Sequence, residues 1–251
     1  MLATIVQDAY RVTEKSAVSS ALHNITEPRN GNWSSAGVYS FWDYHTKEIL
    51  YLGLAVDLAQ RFDQHNGETG ISSVGSKSKE IRRYFESHEK LGYSIILQSA
   101  LSQPITRKLK DGFPGFFSQP ASAHYDVGED GRNSIRRMEG ILIESYRSLF
   151  GRFPAWNKVG GSAEGQRSAS PKNYPLLKIL NTSEINKFVS RVSLRELAEN
   201  SEYNSHEAYL HSVRIMPSPS TDAINLMSRM LGENQFEVIR RTGYFSKRLA
   251  L

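Results

Sequence analysis

Apolar side chains recur at helical spacing near the start of the chain and at strand spacing further along. Residues 1 to 30 carry apolar positions such as Ile5 and Ala9 four apart and end in turn-forming residues, which predicts an N-terminal helix. The β-branched and aromatic runs at 38–42 and 49–52 flank a polar turn. This second pattern predicts a β-hairpin.

Further helices and one more strand are expected after the hairpin. Asp57 is suited to cap a short helix that runs through His65, and a second helix is predicted over 77–90. A strand is predicted over 93–99. A long helix is predicted from Asn133 to Phe150, with an apolar stripe formed by Met138, Leu142, Ser145 and Leu149. The order of these elements is typical of an α+β fold.

Three other stretches are harder to interpret from their pattern. The segment from Gln103 to Gly131 is rich in glycine and proline and predicts a long loop that is functional, disordered or a plain surface loop, and 160–175 is interpreted as a linker. Towards the C-terminus, helical patterns lie at 193–200 and 221–231, and a strand pattern lies near 209–216. The run Ser193–Ala198 could open a helix-turn-helix, but an ordinary capped amphipathic helix is favoured.

The pattern therefore divides the chain into three expected units. These are an N-terminal helical arm over 1–35, a central domain over 36–159 that contains the loop 103–131, and a C-terminal extension over 160–251 for recognition or dimerisation.

Composition narrows the chemistry. The 251-residue chain has no cysteine, which excludes disulfides, thiolate-bound zinc and cysteine nucleophiles. No apolar run approaches the roughly 20 residues that a membrane span needs, and no secretory signal is recognisable, so a soluble cytoplasmic protein is expected.

A net charge of +5 favours a polyanionic partner only weakly. Clusters of basic residues strengthen this indication, at Lys77, Lys79, Arg82 and Arg83, at Arg107, Lys108 and Lys110, and at Arg132, Arg136 and Arg137.

Two tyrosines mark the ends of the predicted hairpin, in Gly37-Val38-Tyr39 and Tyr51-Leu52-Gly53. Their even separation can bring both phenols to one face of an antiparallel pair, although two tyrosines in a hairpin also suit a packing role. Arg61 and His65 are four positions apart on the next helix and project from one side, as residues of a solvated polar face also would.

Glu144 is the carboxylate that could join this group. At 100° per residue it lies about 130° from the centre of the predicted apolar stripe, so it borders the core and could point into a cleft. The alternative is an ordinary ion pair with Arg137 or Arg147 on the same helix.

Together these residues resemble the GIY-YIG nuclease superfamily. The resemblance covers about residues 36 to 159 and rests on the two tyrosine motifs, Arg61, His65, and Glu144 followed thirteen positions later by Asn157. It implies a small three-stranded antiparallel sheet flanked by helices and the hydrolysis of DNA phosphodiester bonds. Two features depart from the family pattern: Leu54 stands where many members have a polar residue, and the loop 103–131 is an addition.

The resemblance also implies a role for each residue. One Mg²⁺ or Mn²⁺ ion would be bound mainly by Glu144, a hard oxygen ligand that leaves positions open for water and phosphate. Tyr39 would activate the attacking water, with His65 accepting or relaying its proton. Arg61 would hold the phosphate and Tyr51 would orient it. Asn157 would tie the chain after the helix to the sheet.

Several functions fit this site. A sequence-specific type II restriction endonuclease that cuts double-stranded DNA as a homodimer is favoured. A homing or repair endonuclease is the alternative, and a DNA-binding module that no longer cuts is an alternative of another class. The candidates for DNA contacts are Lys77, Lys79, Arg82, Arg83, Arg107, Lys108 and Lys110. The nuclease hypothesis requires the carboxylate of Glu144 to face the two phenols of the hairpin.

Overall fold

A computed structural model describes residues 2–27, 33–67, 75–98, 127–182, 184–215 and 234–251. The fold is α+β, with a four-stranded antiparallel sheet and helices on both of its faces. The strands are β1 (Leu2–Tyr10), β2 (Gly37–Asp43), β3 (Ile49–Ala55) and β4 (Leu91–Gln98).

The spatial order of the strands is β1-β4-β2-β3. The predicted hairpin is present as β2 and β3, in which Tyr39 lies opposite Gly53. β4 pairs with β2 on its other side, and β1 pairs with β4, with Val6 opposite Ile95. β3 is therefore an edge strand, a position that matters for the candidate site.

The first strand corrects the sequence-based expectation. The predicted helix over 1–30 is wrong for its first part, because Leu2–Tyr10 is a strand and only Lys15–Thr26 is α-helical. Ile5 and Ala9 are four apart, but the polar residues between them, Gln7 and Asp8, are buried as well. The expected three-stranded sheet thus becomes four-stranded.

Nine α-helices are described. They are α1 (Lys15–Thr26), α2 (Leu58–Asn66), α3 (Ser78–Phe85), α4 (Val127–Phe150), α5 (Ala163–Ser168), α6 (Tyr174–Lys178), α7 (Leu194–Glu199), α8 (Ser201–Ile215) and α9 (Gln235–Arg241). None of the helices in these parts of the chain is both long and apolar enough to cross a lipid bilayer.

The sheet separates two apolar cores. On one face, rings such as Tyr39, Phe41 and Tyr93 pack with α1, α2, α3 and the C-terminal helices α7 to α9. On the other face, Val38 and Leu52 pack with α4 and α6. Helices α3 and α4 therefore cover opposite faces of the same sheet.

The C-terminal half differs from its predicted pattern. The expected linker at 160–175 contains α5, which packs tightly on α4, because a Cβ at Gly165 would overlap the backbone of α4. The strand expected near 209–216 is wrong, since Tyr209 lies within helix α8. The run at 193–200 forms α7. Its N-terminus has a capping box, in which the Ser193 side chain accepts the backbone N–H of Glu196 and the Glu196 side chain accepts that of Ser193, as in an ordinary capped helix.

The long helix also begins earlier than expected, at Val127 rather than Asn133, so the end of the predicted loop is helical. The rest of that loop, with Arg107, Lys108 and Lys110, lies outside the described residues, as does the predicted helix at 221–231. The division into three units stays a prediction.

Candidate functional site

Tyr39 and His65 form the buried centre of the candidate site. Tyr39 lies on β2, and its phenol oxygen is 2.7 Å from Nε2 of His65 on α2. Helix α2 is aligned by its ends: the Asp57 carboxylate accepts the backbone N–H of Gln60, and Gly67 ends the helix in the left-handed conformation. Arg61, one turn before His65, donates from Nε to the same phenol oxygen at 3.3 Å.

The hydrogen bond at Nδ1 of His65 shows which ring nitrogen carries the proton. The backbone N–H of Lys77 donates to Nδ1 of His65 at 2.8 Å, so Nδ1 must carry a lone pair. Burial lowers the pKa of His65 to about 3, which keeps the ring neutral near pH 7. The single ring proton is then on Nε2 and is donated to the Tyr39 oxygen. In this arrangement His65 does not accept a proton from Tyr39, in contrast to the role that the family resemblance implies.

The two phenols are close neighbours, with ring centroids 5.9 Å apart. Between them Gly53 leaves the space that the rings need, because a Cβ there would lie 2.7 Å from the Tyr39 oxygen. Burial raises the pKa of Tyr39 well above its usual value and raises that of Tyr51 too, while a hydrogen bond from Tyr39 and the charge of Arg61 lower the pKa of Tyr51. Tyr51 is the more exposed phenol of the pair.

Lys77 belongs to the site rather than to an exposed helix face. Its side chain is buried, and its ammonium lies 5.0 Å from the centre of the Tyr51 ring. Burial lowers the pKa of Lys77, with smaller contributions of the same sign from Lys158 and Arg61. Three cations thus gather beside Tyr51, an arrangement that favours binding of an anion such as a phosphate.

Glu144 does not join this group. Its carboxylate accepts two hydrogen bonds from Arg147, at 2.7 and 2.9 Å, and lies near Ser148. The bond from Arg147 is also the main reason that the pKa of Glu144 is lowered. The prediction that Glu144 faces the two phenols is wrong, and the alternative of an ion pair on its own helix holds.

A different carboxylate, Glu139, interacts electrostatically with Arg61 and Tyr51. Burial raises the pKa of Glu139 to about 7, and a backbone hydrogen bond from Leu54 and the positive charge of Arg61 oppose this rise. Its negative charge in turn contributes to the raised pKa of Tyr51. Glu139 is therefore electrostatically coupled to the cluster at the edge of β3, whereas Glu144 is about 140° away around the helix.

The sequence does hold a signal for Glu139 that was missed. The predicted stripe of α4 included Leu149, which is 47% exposed. The buried apolar residues of α4 are Ile135, Leu142, Ile143 and Tyr146. At 100° per residue all four lie within about 60° of Glu139. A lone carboxylate in the middle of an apolar stripe is a better site candidate than one at its border.

The outer edge of β3 is contacted by Asn157 and Glu139. The side-chain amide of Asn157 accepts the Leu52 N–H at 2.9 Å and donates to the Leu52 carbonyl at 2.8 Å. Glu139 accepts from Leu54, the next outward-facing backbone group, as the alternation of a strand requires. Asn157 and Glu139 thus hold adjacent points of the same edge, with Lys158 next in the chain.

The chemistry of Glu139 fits a divalent metal ion. Within the described ranges no three His, Asp or Glu side chains are grouped as metal ligands, so an ion here would have one protein carboxylate and otherwise water or substrate. The Oε2 of Glu139 lies beside the Gly161 backbone, where a Cβ would be 3.4 Å away. Such an open coordination sphere suits Mg²⁺ or Mn²⁺.

Comparison with protein-family models, with curated proteins and with solved structures gives no match to this chain. The resemblance to the GIY-YIG nucleases therefore depends on the residues described above.

Proposed function

We propose that the chain is a divalent-metal-dependent DNA endonuclease of the GIY-YIG type, with Glu139 rather than Glu144 as its metal ligand. The observation that carries the proposal is the convergence of Tyr39, Tyr51, Arg61 and His65 on one point beside the β3 edge. The three antiparallel strands β2, β3 and β4 support it as a counterpart of the family's small sheet, with β1 added beside β4.

Arg61 and Lys77 would bind the scissile phosphate. Arg61 is held in place by Gln64 and by the carbonyl of Gly75, at 3.0 and 3.2 Å, so its guanidinium is oriented before substrate arrives. Fixed positive charge in a half-buried site stabilises the negative charge that develops on the phosphate oxygens. Lys77 adds a second cation beside the Tyr51 ring.

The two phenols would act on the attacking water. His65 and Arg61 donate to the Tyr39 oxygen, and Tyr39 and the charge of Arg61 oppose the rise in the pKa of Tyr51 that burial causes. Tyr51, the more exposed phenol, would hold the water as a neutral hydrogen-bond partner while the water oxygen bonds to phosphorus, the bond to one sugar oxygen breaks and the water proton passes to solvent. Solvent returns a proton to that leaving oxygen.

A divalent ion at Glu139 would supply Lewis-acid stabilisation of the phosphate and a lower pKa for bound water. Glu139 itself would hold the ion beside Tyr51 and Arg61, and its hydrogen bond from Leu54 would fix the carboxylate at the strand edge. The polar helper that many relatives carry at position 54 would then be replaced by the backbone of Leu54.

Among nucleases we favour a type II restriction endonuclease acting as a homodimer on double-stranded DNA in the cytoplasm. The compact packing of α5 on α4 supports this choice, because it removes the extended linker expected of a homing enzyme. A repair-type nuclease and a DNA-binding module that no longer cuts are the alternatives.

Incubation of supercoiled plasmid with the protein tests the proposal. We expect nicking or cutting with Mg²⁺ or Mn²⁺, none with chelator, and discrete fragments if the enzyme recognises a sequence. Arg61→Ala, which removes the fixed cation, should lose cleavage. Absence of metal-dependent cutting on several plasmids would favour the module that binds without cutting.

A further inference from the structure

A second basic cluster lies on the helix that carries Glu139. Arg132 and Arg136 are seven and three positions before Glu139 on α4, and both side chains are exposed. At 100° per residue they lie about 20° and 60° from Glu139 around the helix. They therefore project from the same helix face as the candidate metal ligand.

Helix α5 covers the side of α4 around Gly140, which is about 100° from Glu139 and about 40° from Arg136. Arg137 is about 160° from Glu139 around the helix. Its guanidinium pairs with Glu164 of α5 at 3.6 Å, and α5 packs directly on Gly140. Arg132 and Arg136 are thus exposed on the Glu139 side of α4, whereas Arg137 faces away from Glu139 and is paired with α5.

Another basic cluster lies on α3, the helix that packs on the other face of the sheet. Helix α3 carries Lys79, Arg82 and Arg83, all exposed, while its buried residues Ile81 and Tyr84 pack on the other face of the sheet. The buried residues of α4 pack on the face opposite to that of α3. Exposed cations are thus present on helices at both faces of the sheet whose edge strand carries the contacts of Glu139 and Asn157.

We infer that Arg132 and Arg136 form a phosphate-contact surface, and that double-stranded DNA crosses the β3 edge with α3 on one side and α4 on the other. At 1.5 Å per residue Arg132 is about 10 Å along the helix axis from Glu139, a length that covers about three phosphates of one strand at 3.4 Å each. Charge complementarity and continuity with the candidate site identify the occupant as a polyanionic duplex. This inference rests on the proposed function.

Salt-dependent DNA binding tests it without requiring cleavage. The affinity of a 25-base-pair duplex is measured in chelator at several salt concentrations, for the wild type, for Arg132→Ala/Arg136→Ala and for Arg137→Ala. Loss of two phosphate contacts should reduce the slope of log affinity against log salt by about 1.8. Arg137→Ala is the matched control and should keep the wild-type slope.

A further variant separates charge from folding. Arg132→Lys/Arg136→Lys keeps both charges and should keep most of the slope, and melting temperatures should be alike for all variants because the altered side chains are exposed. A wild-type slope in Arg132→Ala/Arg136→Ala would overturn this inference but leave the proposed nuclease intact, provided that the wild type binds. Failure of the wild type to bind any duplex would overturn the proposed function and this inference with it.

Discussion

Glu139 should make the protein less stable as pH rises. Its pKa is about 7 in the folded chain against 4.5 for an ordinary glutamate. The folded state therefore binds more protons than the unfolded state between these values, and the free energy of unfolding falls as pH rises from about 4.5 to about 7. The shift corresponds to at most about 3 kcal/mol, and partial exposure to solvent reduces this to about 1–2 kcal/mol.

Glu139→Gln removes this effect because the amide does not titrate. We expect urea unfolding to show the variant gaining about 1–2 kcal/mol relative to wild type between pH 5 and pH 8. Glu144→Gln is the control, because the pKa of Glu144 is lowered by Arg147 and its contribution has the opposite sign. An equal difference between Glu139→Gln and wild type at both pH values would refute the assignment of a buried, raised carboxyl at this position.

Two further predictions concern the buried centre. Long-range ¹H–¹⁵N spectra at pH 7 should show His65 as the neutral tautomer with its proton on Nε2, since the Lys77 N–H occupies Nδ1; a proton on Nδ1 would contradict the hydrogen-bond chain. Gly53→Ala should destabilise the fold by about 1–3 kcal/mol and displace the Tyr39 ring, because the new Cβ would meet the phenol at 2.7 Å. Gly160→Ala, which meets only the flexible Gln166 side chain, is its control, and equal melting temperatures for the two variants would argue against the close packing at Gly53.

The hairpin and helix α2 could be predicted because their signals are local. Alternation in the hairpin, the Asp57 cap and the four-residue spacing of Arg61 and His65 are all read within a few residues. These elements bring the two phenols, the guanidinium and the imidazole together, so most of the candidate site followed from the sequence.

Strand β1 could not be predicted because its polar residues are satisfied by distant partners. Gln7 donates to the carbonyl of Ile179 at 2.8 Å, and Asp8 pairs with Arg195 at 2.8 Å. Thr4 accepts from Arg214 at 3.0 Å. Such buried polar residues interrupt the apolar pattern that predicts a strand. Their partners are more than 150 positions away, so the local sequence does not show that these residues are buried.

The choice of Glu144 rather than Glu139 from the sequence has a different cause. Omission of Ile135, Ile143 and Tyr146 rotated the apparent apolar stripe of α4 by about 70°, which placed Glu139 at the side of the stripe instead of near its centre. Similarly, the glycines of 160–175 were interpreted as a flexible linker, although Gly165 permits close packing against α4. A glycine pattern alone does not distinguish mobility from close contact.

The central claim is tested most directly by comparing Glu139→Gln and Glu144→Gln in Mg²⁺-dependent cleavage of plasmid DNA. The account predicts that Glu139→Gln loses cleavage by about a hundredfold or more while its DNA affinity in chelator stays within severalfold, since the change removes a metal ligand and few DNA contacts. Glu144→Gln should cut nearly as fast as wild type. Full activity of Glu139→Gln, or its loss in Glu144→Gln alone, would contradict the account.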